Sequence, residues 1–180
     1  MKTNIVLVGF MGTGKSSLGR ALARRLGYRF IDTDLAIEKI TGLTVEMIFR
    51  RHGVIRFRSE ETLLAKRLLG KTGLVISTGG GMLLNRENVE LLRQNGVLIG
   101  LRADPEIIIN RVKNKRHRPL LKKRNVRETV YRLLQEREGV YDVAEFTVDT
   151  GQLPFEASLN EIIKYLKERQ PDRYTAPKEE

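Results

Sequence analysis

Short apolar runs alternate along this chain with longer stretches in which apolar residues recur every three or four positions. Asn4–Val8 is a continuous run of Ile, Val and Leu that stops at Gly9, the pattern of a strand buried on both faces. Lys15–Leu26 places Leu18, Ala21, Leu22 and Leu26 at helical spacing and ends at Gly27. A short strand follows at 28–31, running into Asp32-Thr33-Asp34, and then helical segments at 35–40, 44–52 and 55–69. The next strand, 74–78, leads into three consecutive glycines, Gly79 to Gly81.

A helix over 86–95 and a strand over 97–101 come next, and Asp104-Pro105 supplies an N-cap and a first-turn proline for another helix toward Arg111. Helix 126–137, strand Phe146–Asp149 and the amphipathic helix Phe155–Arg169 complete the series. Residues 170–180 are polar with two prolines and read as a frayed tail. Alternation on this scale predicts an α/β sandwich around a mostly parallel sheet, with residues 1–169 forming one domain.

The first strand-to-helix turn carries the chemistry. Gly9-Phe10-Met11-Gly12-Thr13-Gly14-Lys15-Ser16 matches G-x-x-x-x-G-K-[ST], with Ser17 following. Glycines let backbone N–H groups close around a phosphate without a Cβ in the way. The lysine reaches the β- and γ-oxygens, the serine hydroxyl ligates Mg²⁺, and the following helix adds its positive end. Gly12, Thr13, Gly14, Lys15, Ser16 and Ser17 are therefore expected to bind ATP, with Lys15 acting in catalysis and Ser16 on the metal. The lysine and the absence of G-x-G-x-x-G spacing exclude a dinucleotide fingerprint.

Asp32 and Asp34 stand at the end of the second strand, on the edge where a P-loop fold keeps its nucleotide. One could hold the Mg²⁺ shell and the other take or orient a substrate hydroxyl proton. Equally, both could cap the next helix, as aspartate often does.

Composition narrows the class. There are no cysteines, so disulfides and thiolate metal sites are excluded. No apolar stretch has the length of a membrane span, and the apolar start runs into the glycine loop rather than a cleavage site, which predicts a cytoplasmic protein. The formal charge is +11, and residues 113–127 hold eight cations with no acid. No helix-turn-helix or aromatic platform accompanies that charge, so nucleic acid is not the expected partner.

The ordered set of motifs is more specific than the P-loop. With Asp32-Thr33-Asp34 come Phe57-Arg58 and Glu61, Gly79-Gly80-Gly81, Arg118-Pro119-Leu120-Leu121, Arg137, Tyr141 and Val148-Asp149-Thr150. Over 5–166 the sequence resembles shikimate kinases. The resemblance implies a P-loop NTPase three-layer α/β/α sandwich, like nucleoside monophosphate kinases, with five parallel strands in the order 2-3-1-4-5. It implies transfer of a phosphoryl group from ATP, with Mg²⁺, to the 3-hydroxyl of shikimate, on the route to aromatic amino acids.

By the same resemblance Asp34 contacts the substrate hydroxyls as base or orienter, and Asp32 positions Mg²⁺ through water. Arg58, Gly80, Gly81 and Arg137 hold shikimate. Pattern alone would leave both arginines as solvated cations on charged helices. A guanidinium does suit a carboxylate, and exposed glycine N–H groups suit a polyol. Glu61, one turn beyond Arg58, can orient it, or else form an ordinary surface pair.

The basic stretch corresponds to the family's lid, about 112–125, with Arg118 as the catalytic arginine that also contacts ATP. Arg111 and Pro154 fall where the family sandwiches adenine. The other cations are expected to be solvated and to speed encounter with anionic substrates. One position departs from the family. Its Gly-Glu-x-x-Phe-Arg becomes Gly53-Val54-Ile55-Arg56-Phe57-Arg58, so an acid is missing at Val54. The rival readings are a gluconate or nucleoside monophosphate kinase, or a nucleotide-dependent regulatory or nucleic-acid-binding protein. A monomer is expected from the size of the chain.

Overall fold

The computed structural model describes residues 3–113 and 125–169. Its strands are β1 (Asn4–Val8), β2 (Arg29–Asp32), β3 (Leu74–Ser77), β4 (Gly96–Arg102) and β5 (Phe146–Asp149). They form one sheet in the order β2-β3-β1-β4-β5, and every pairing is parallel. The helices are α1 (Lys15–Leu26), α2 (Thr33–Thr41), α3 (Val45–Leu68), α4 (Arg86–Arg93), α5 (Pro105–Val112), α6 (Val126–Glu136) and α7 (Phe155–Arg169).

The sheet separates two apolar layers because successive strand residues face opposite ways. Ile5 and Leu7 of β1 pack with Leu18 and Leu22 of α1 and with Leu159 and Ile162 of α7. Val6 and Val8 face Ile48, Phe57, Leu64 and Val89 from α3 and α4. A third cluster joins Phe10 and Met11, just after β1, to Ile108 and Val112 of α5 and Val130 of α6. The P-loop is thereby roofed by the two helices that flank residues 114–124.

Element boundaries follow local chemistry. Gly27 ends α1 in the left-handed conformation, and its N–H returns to Ala23 and Arg24 carbonyls. Asp104 caps α5 through the Glu106 N–H, with Pro105 in the first turn. Thr44 caps α3, which breaks at Gly53 (φ 79°, ψ 175°), so the two helical stretches expected on either side are real. A 3-10 turn at Met82–Leu84 follows the triple glycine and is too short to show in the hydrophobic pattern.

Candidate active site

The loop after β1 is shaped by three glycines at positive φ, namely Gly9 (142°), Gly12 (82°) and Gly14 (97°). A Cβ at Gly9 would overlap the Leu101 carbonyl, so the loop can lie against β4 only without one. Lys15 opens α1 and is nearly buried. Its Nζ donates to the carbonyls of Gly9 and Phe10, each at 2.8 Å, which curls the loop around the ammonium. Thr13 is buried and its hydroxyl donates to Phe10 O at 2.8 Å, while Ser17 is exposed. The expected phosphate-binding residues are therefore gathered in one closed turn at the positive end of α1.

Beside them, the Ser16 hydroxyl donates to Asp32 Oδ2 at 2.7 Å and lies 3.3 Å from Ser77 Oγ. The other Asp32 oxygen accepts from the N–H groups of Asp34 and Leu35 and caps α2. Asp32 thus caps α2, one of the two readings the sequence left open. Capping fixes the carboxylate, and its second oxygen stays with Ser16. Mg²⁺ takes oxygen ligands and keeps several waters, so a hydroxyl and a carboxylate side by side fit it.

Gly79, Gly80 and Gly81 are where the remaining residues meet. A Cβ on Gly79 would overlap Asp34 Oδ1 and come within 3.1 Å of Glu61 Oε1. One on Gly81 would overlap the Arg58 guanidinium, and one on Gly80 would lie 3.3 Å from Arg137 Nη1 and 3.4 Å from Met11 N. The missing side chains are what let Asp34, Arg58, Glu61 and Arg137 converge within reach of the P-loop. Arg137 Nη1 donates to Gly80 O at 2.9 Å and Tyr141 donates to the same carbonyl at 2.5 Å. Arg137 is almost buried, and its guanidinium lies over the Phe10 ring at 5.5 Å from the centroid.

Glu61 is not a surface residue. Its side chain is fully buried, it accepts from Arg58 Nη1 at 2.6 Å, and Oε1 has no hydrogen-bond partner among the described residues. Burial pushes its carboxyl up to about 7, against the lowering effect of Arg58 and with a further raising effect from Asp34. Burial likewise raises Tyr141. Val54, where the resemblance leads one to expect an acid, is half-exposed one turn before Arg58, and the Arg58 partner Glu61 lies in the following turn.

At the far side of the loop, Arg111 donates to Thr150 O at 2.6 Å, to Thr150 Oγ1 at 3.0 Å and to Gly12 O at 3.3 Å. Pro154 is exposed just before α7. Arg118 and most of the expected lid lie outside the described residues, as does the tail from 170. Within the basic stretch, Arg127 pairs with Glu106 at 2.6 Å across α5 and α6. Sequence reasoning missed the roles of Tyr141 and Thr150, although both stood in the motifs that carried the resemblance.

A family model for shikimate kinases matches residues 11–167. This chain belongs to the shikimate kinase family. It is 63% identical over 165 residues to a shikimate kinase of Pelotomaculum thermopropionicum, covering 92% of this chain and 96% of that one. It is 55% identical over 166 residues to a shikimate kinase of Desulforudis audaxviator, covering 92% and 87%. Among solved structures, a shikimate kinase of Acinetobacter baumannii in complex with shikimate superposes with a TM-score of 0.85 at 35% identity, covering 97% of each chain. A gluconokinase of Sinorhizobium meliloti shares the fold alone, with a TM-score of 0.55 at 20% identity over 94% and 98% of the two chains. The family match therefore favours the shikimate kinase reading over the gluconate one, which shares only the fold.

Proposed function

We propose that this chain transfers the γ-phosphoryl group of ATP to the 3-hydroxyl of shikimate, giving shikimate 3-phosphate and ADP on the route to chorismate and aromatic amino acids. The observation that carries the reading is the convergence of Asp34, Arg58 and Arg137 on the Gly79–Gly81 backbone beside a complete P-loop. A carboxylate-bearing triol needs cationic donors at one end and a carboxylate at the hydroxyl, and both are supplied there.

In this reading Arg58 and Arg137 hold the shikimate carboxylate, and Gly80 and Gly81 allow the ring to lie against the backbone. The substrate 3-oxygen attacks the γ-phosphorus and its proton passes to Asp34. The bond from the γ-phosphorus to the β,γ-bridging oxygen breaks, and ADP leaves. Lys15, freed from the Gly9 and Phe10 carbonyls, follows the charge on the β- and γ-oxygens, and Arg118 adds a second cation from the lid. Ser16 and, through water, Asp32 would hold Mg²⁺, which would supply charge neutralisation on the phosphates. Arg111 and Pro154 flank the base.

We read residues 1–169 as one kinase domain acting as a cytoplasmic monomer, without nucleic-acid or membrane partners. No helix among the described residues is long and apolar enough to cross a membrane. A coupled assay of ADP release tests the reading, with shikimate, gluconate and nucleoside monophosphates as acceptors. Turnover is expected with shikimate. Turnover only with another acceptor would replace it, and duplex DNA binding with a steep salt dependence and no turnover would overturn the kinase reading.

A further inference from the structure

We propose that Thr150, immediately after β5, is a positioning residue for the nucleotide: it presets a peptide of the phosphate-binding loop and holds the Arg111 guanidinium. The inference rests on the reading of residues 9–17 as the ATP site.

Thr150 is only 7% exposed, and each of its polar groups is engaged by a distant part of the chain. Its N–H donates to Arg102 O at 2.9 Å, which continues the β4–β5 ladder by one residue. Its hydroxyl oxygen lies 2.8 Å from Thr13 O and 3.2 Å from Arg102 O. A hydroxyl has one proton to give, and the shorter contact takes it. The same oxygen accepts from Arg111 Nη1, and the Thr150 carbonyl accepts from Arg111 Nη2, a two-point fork on a planar guanidinium.

The Thr13 contact reaches the chemistry through the geometry of one peptide. In a trans peptide the carbonyl and the next N–H point in opposite directions. Holding Thr13 O toward Thr150 therefore directs the Gly14 N–H to the other side of the loop. Gly14 is the N-cap of α1 and has no side-chain cap. A phosphate at the amino end of α1 is met by backbone N–H groups of this kind. The Thr13 side chain holds the loop from within, through Phe10 O, and Thr150 holds it from without. Arg111, fixed by the fork and touching Gly12 O, presents a flat cation at the edge of the same loop. One hydroxyl thus couples the phosphate cradle to the segment that leads to Pro154.

The test uses the full chain with Thr150→Val, which keeps the shape and removes the hydroxyl, and Thr150→Ser, which restores it. ADP titration by calorimetry reads the nucleotide site without any acceptor. Thr150→Val is expected to weaken ADP about tenfold, the scale of one buried hydrogen bond, and to raise the KM for ATP to match. The KM for shikimate at saturating ATP is expected to stay within about twofold, and Thr150→Ser to recover the parent ADP affinity. Parent affinity in Thr150→Val, or an equal rise in the shikimate KM, would overturn the proposal. If the valine variant does not fold, Thr150→Ala decides, because it removes the hydroxyl and adds no bulk to the site. A weakening of ADP binding by several fold supports the coupling, and unchanged affinity overturns it. A parent chain that bound no ADP would overturn the nucleotide reading as well, which separates the two failures.

Discussion

Arg58 donates to Glu61 across 2.6 Å, and the receiving side chain is wholly buried while the arginine side chain is about a quarter exposed. Exposed pairs of this spacing contribute little, but removing one partner of a buried pair leaves the other uncompensated. Glu61→Gln keeps the shape and drops the charge, so Arg58 loses the anchor that fixes it beside Gly81. The KM for shikimate is expected to rise about tenfold, with the KM for ATP unchanged. Steady-state kinetics with each substrate varied in turn checks this, and equal effects on both would reduce Glu61 to general packing.

The same residue makes stability depend on pH. Burial raises its carboxyl from 4.5 to about 7 in the folded chain, so between those values the folded state holds a proton that the unfolded state has released. Stability from this group is fully present below 4.5 and is lost as pH rises through about 7. Thermal melts of the parent and Glu61→Gln from pH 5 to 8 should show the parent losing ground against the variant as pH increases. Parallel curves would mean that Glu61 titrates alike in both states.

The glycines of the substrate loop act through space rather than backbone strain, since Gly81 has φ −117° and Gly79 and Gly80 are not among the positive-φ glycines. Gly81→Ala would push its methyl into the Arg58 guanidinium, and Gly79→Ala into Asp34. The first substitution is expected to raise the shikimate KM about tenfold with little change in kcat, and the second to lower kcat by a similar factor. Kinetics of the two variants separate these outcomes, and identical profiles would argue against distinct roles for Arg58 and Asp34.

β1 was legible because a buried parallel strand writes itself as continuous Val, Ile and Leu, and β5, a partly exposed Phe-Thr-Val-Asp, also read to the residue. The strand before Asp32 reads one residue early, because Tyr28 is apolar and nearly buried yet lies outside the ladder. Glu61 was harder. The α3 stretch mixes Arg56, Arg58, Glu60 and Glu61, and helical periodicity puts such charges in water. Both are nonetheless buried, Glu61 with its carboxylate against Gly79, and no local pattern records that. Thr150 was missed for a related reason, since its partner Thr13 is 137 residues away.

Arg118 is expected to act on the transition state rather than on the bound substrate. An arginine brought to the β,γ-bridge neutralises charge that grows only during transfer. Arg118→Ala should therefore lower kcat by about 10³-fold while changing the shikimate KM by less than about threefold. The opposite split, a raised KM with kcat retained, would make it a substrate-holding residue.

Asp34 offers the sharpest separation of chemistry from binding. It sits in the first turn of α2 with its carboxylate against Gly79. Asp34→Asn preserves size and removes the carboxylate proposed to take the hydroxyl proton, so kcat should fall by about 10²- to 10⁴-fold while ADP affinity persists. Because the Asp34 charge helps to raise Glu61, the same variant should move the Glu61-dependent change in stability to lower pH. Retained turnover would remove Asp34 from proton transfer. An unmoved stability profile would show that the two carboxylates do not sense each other across Gly79.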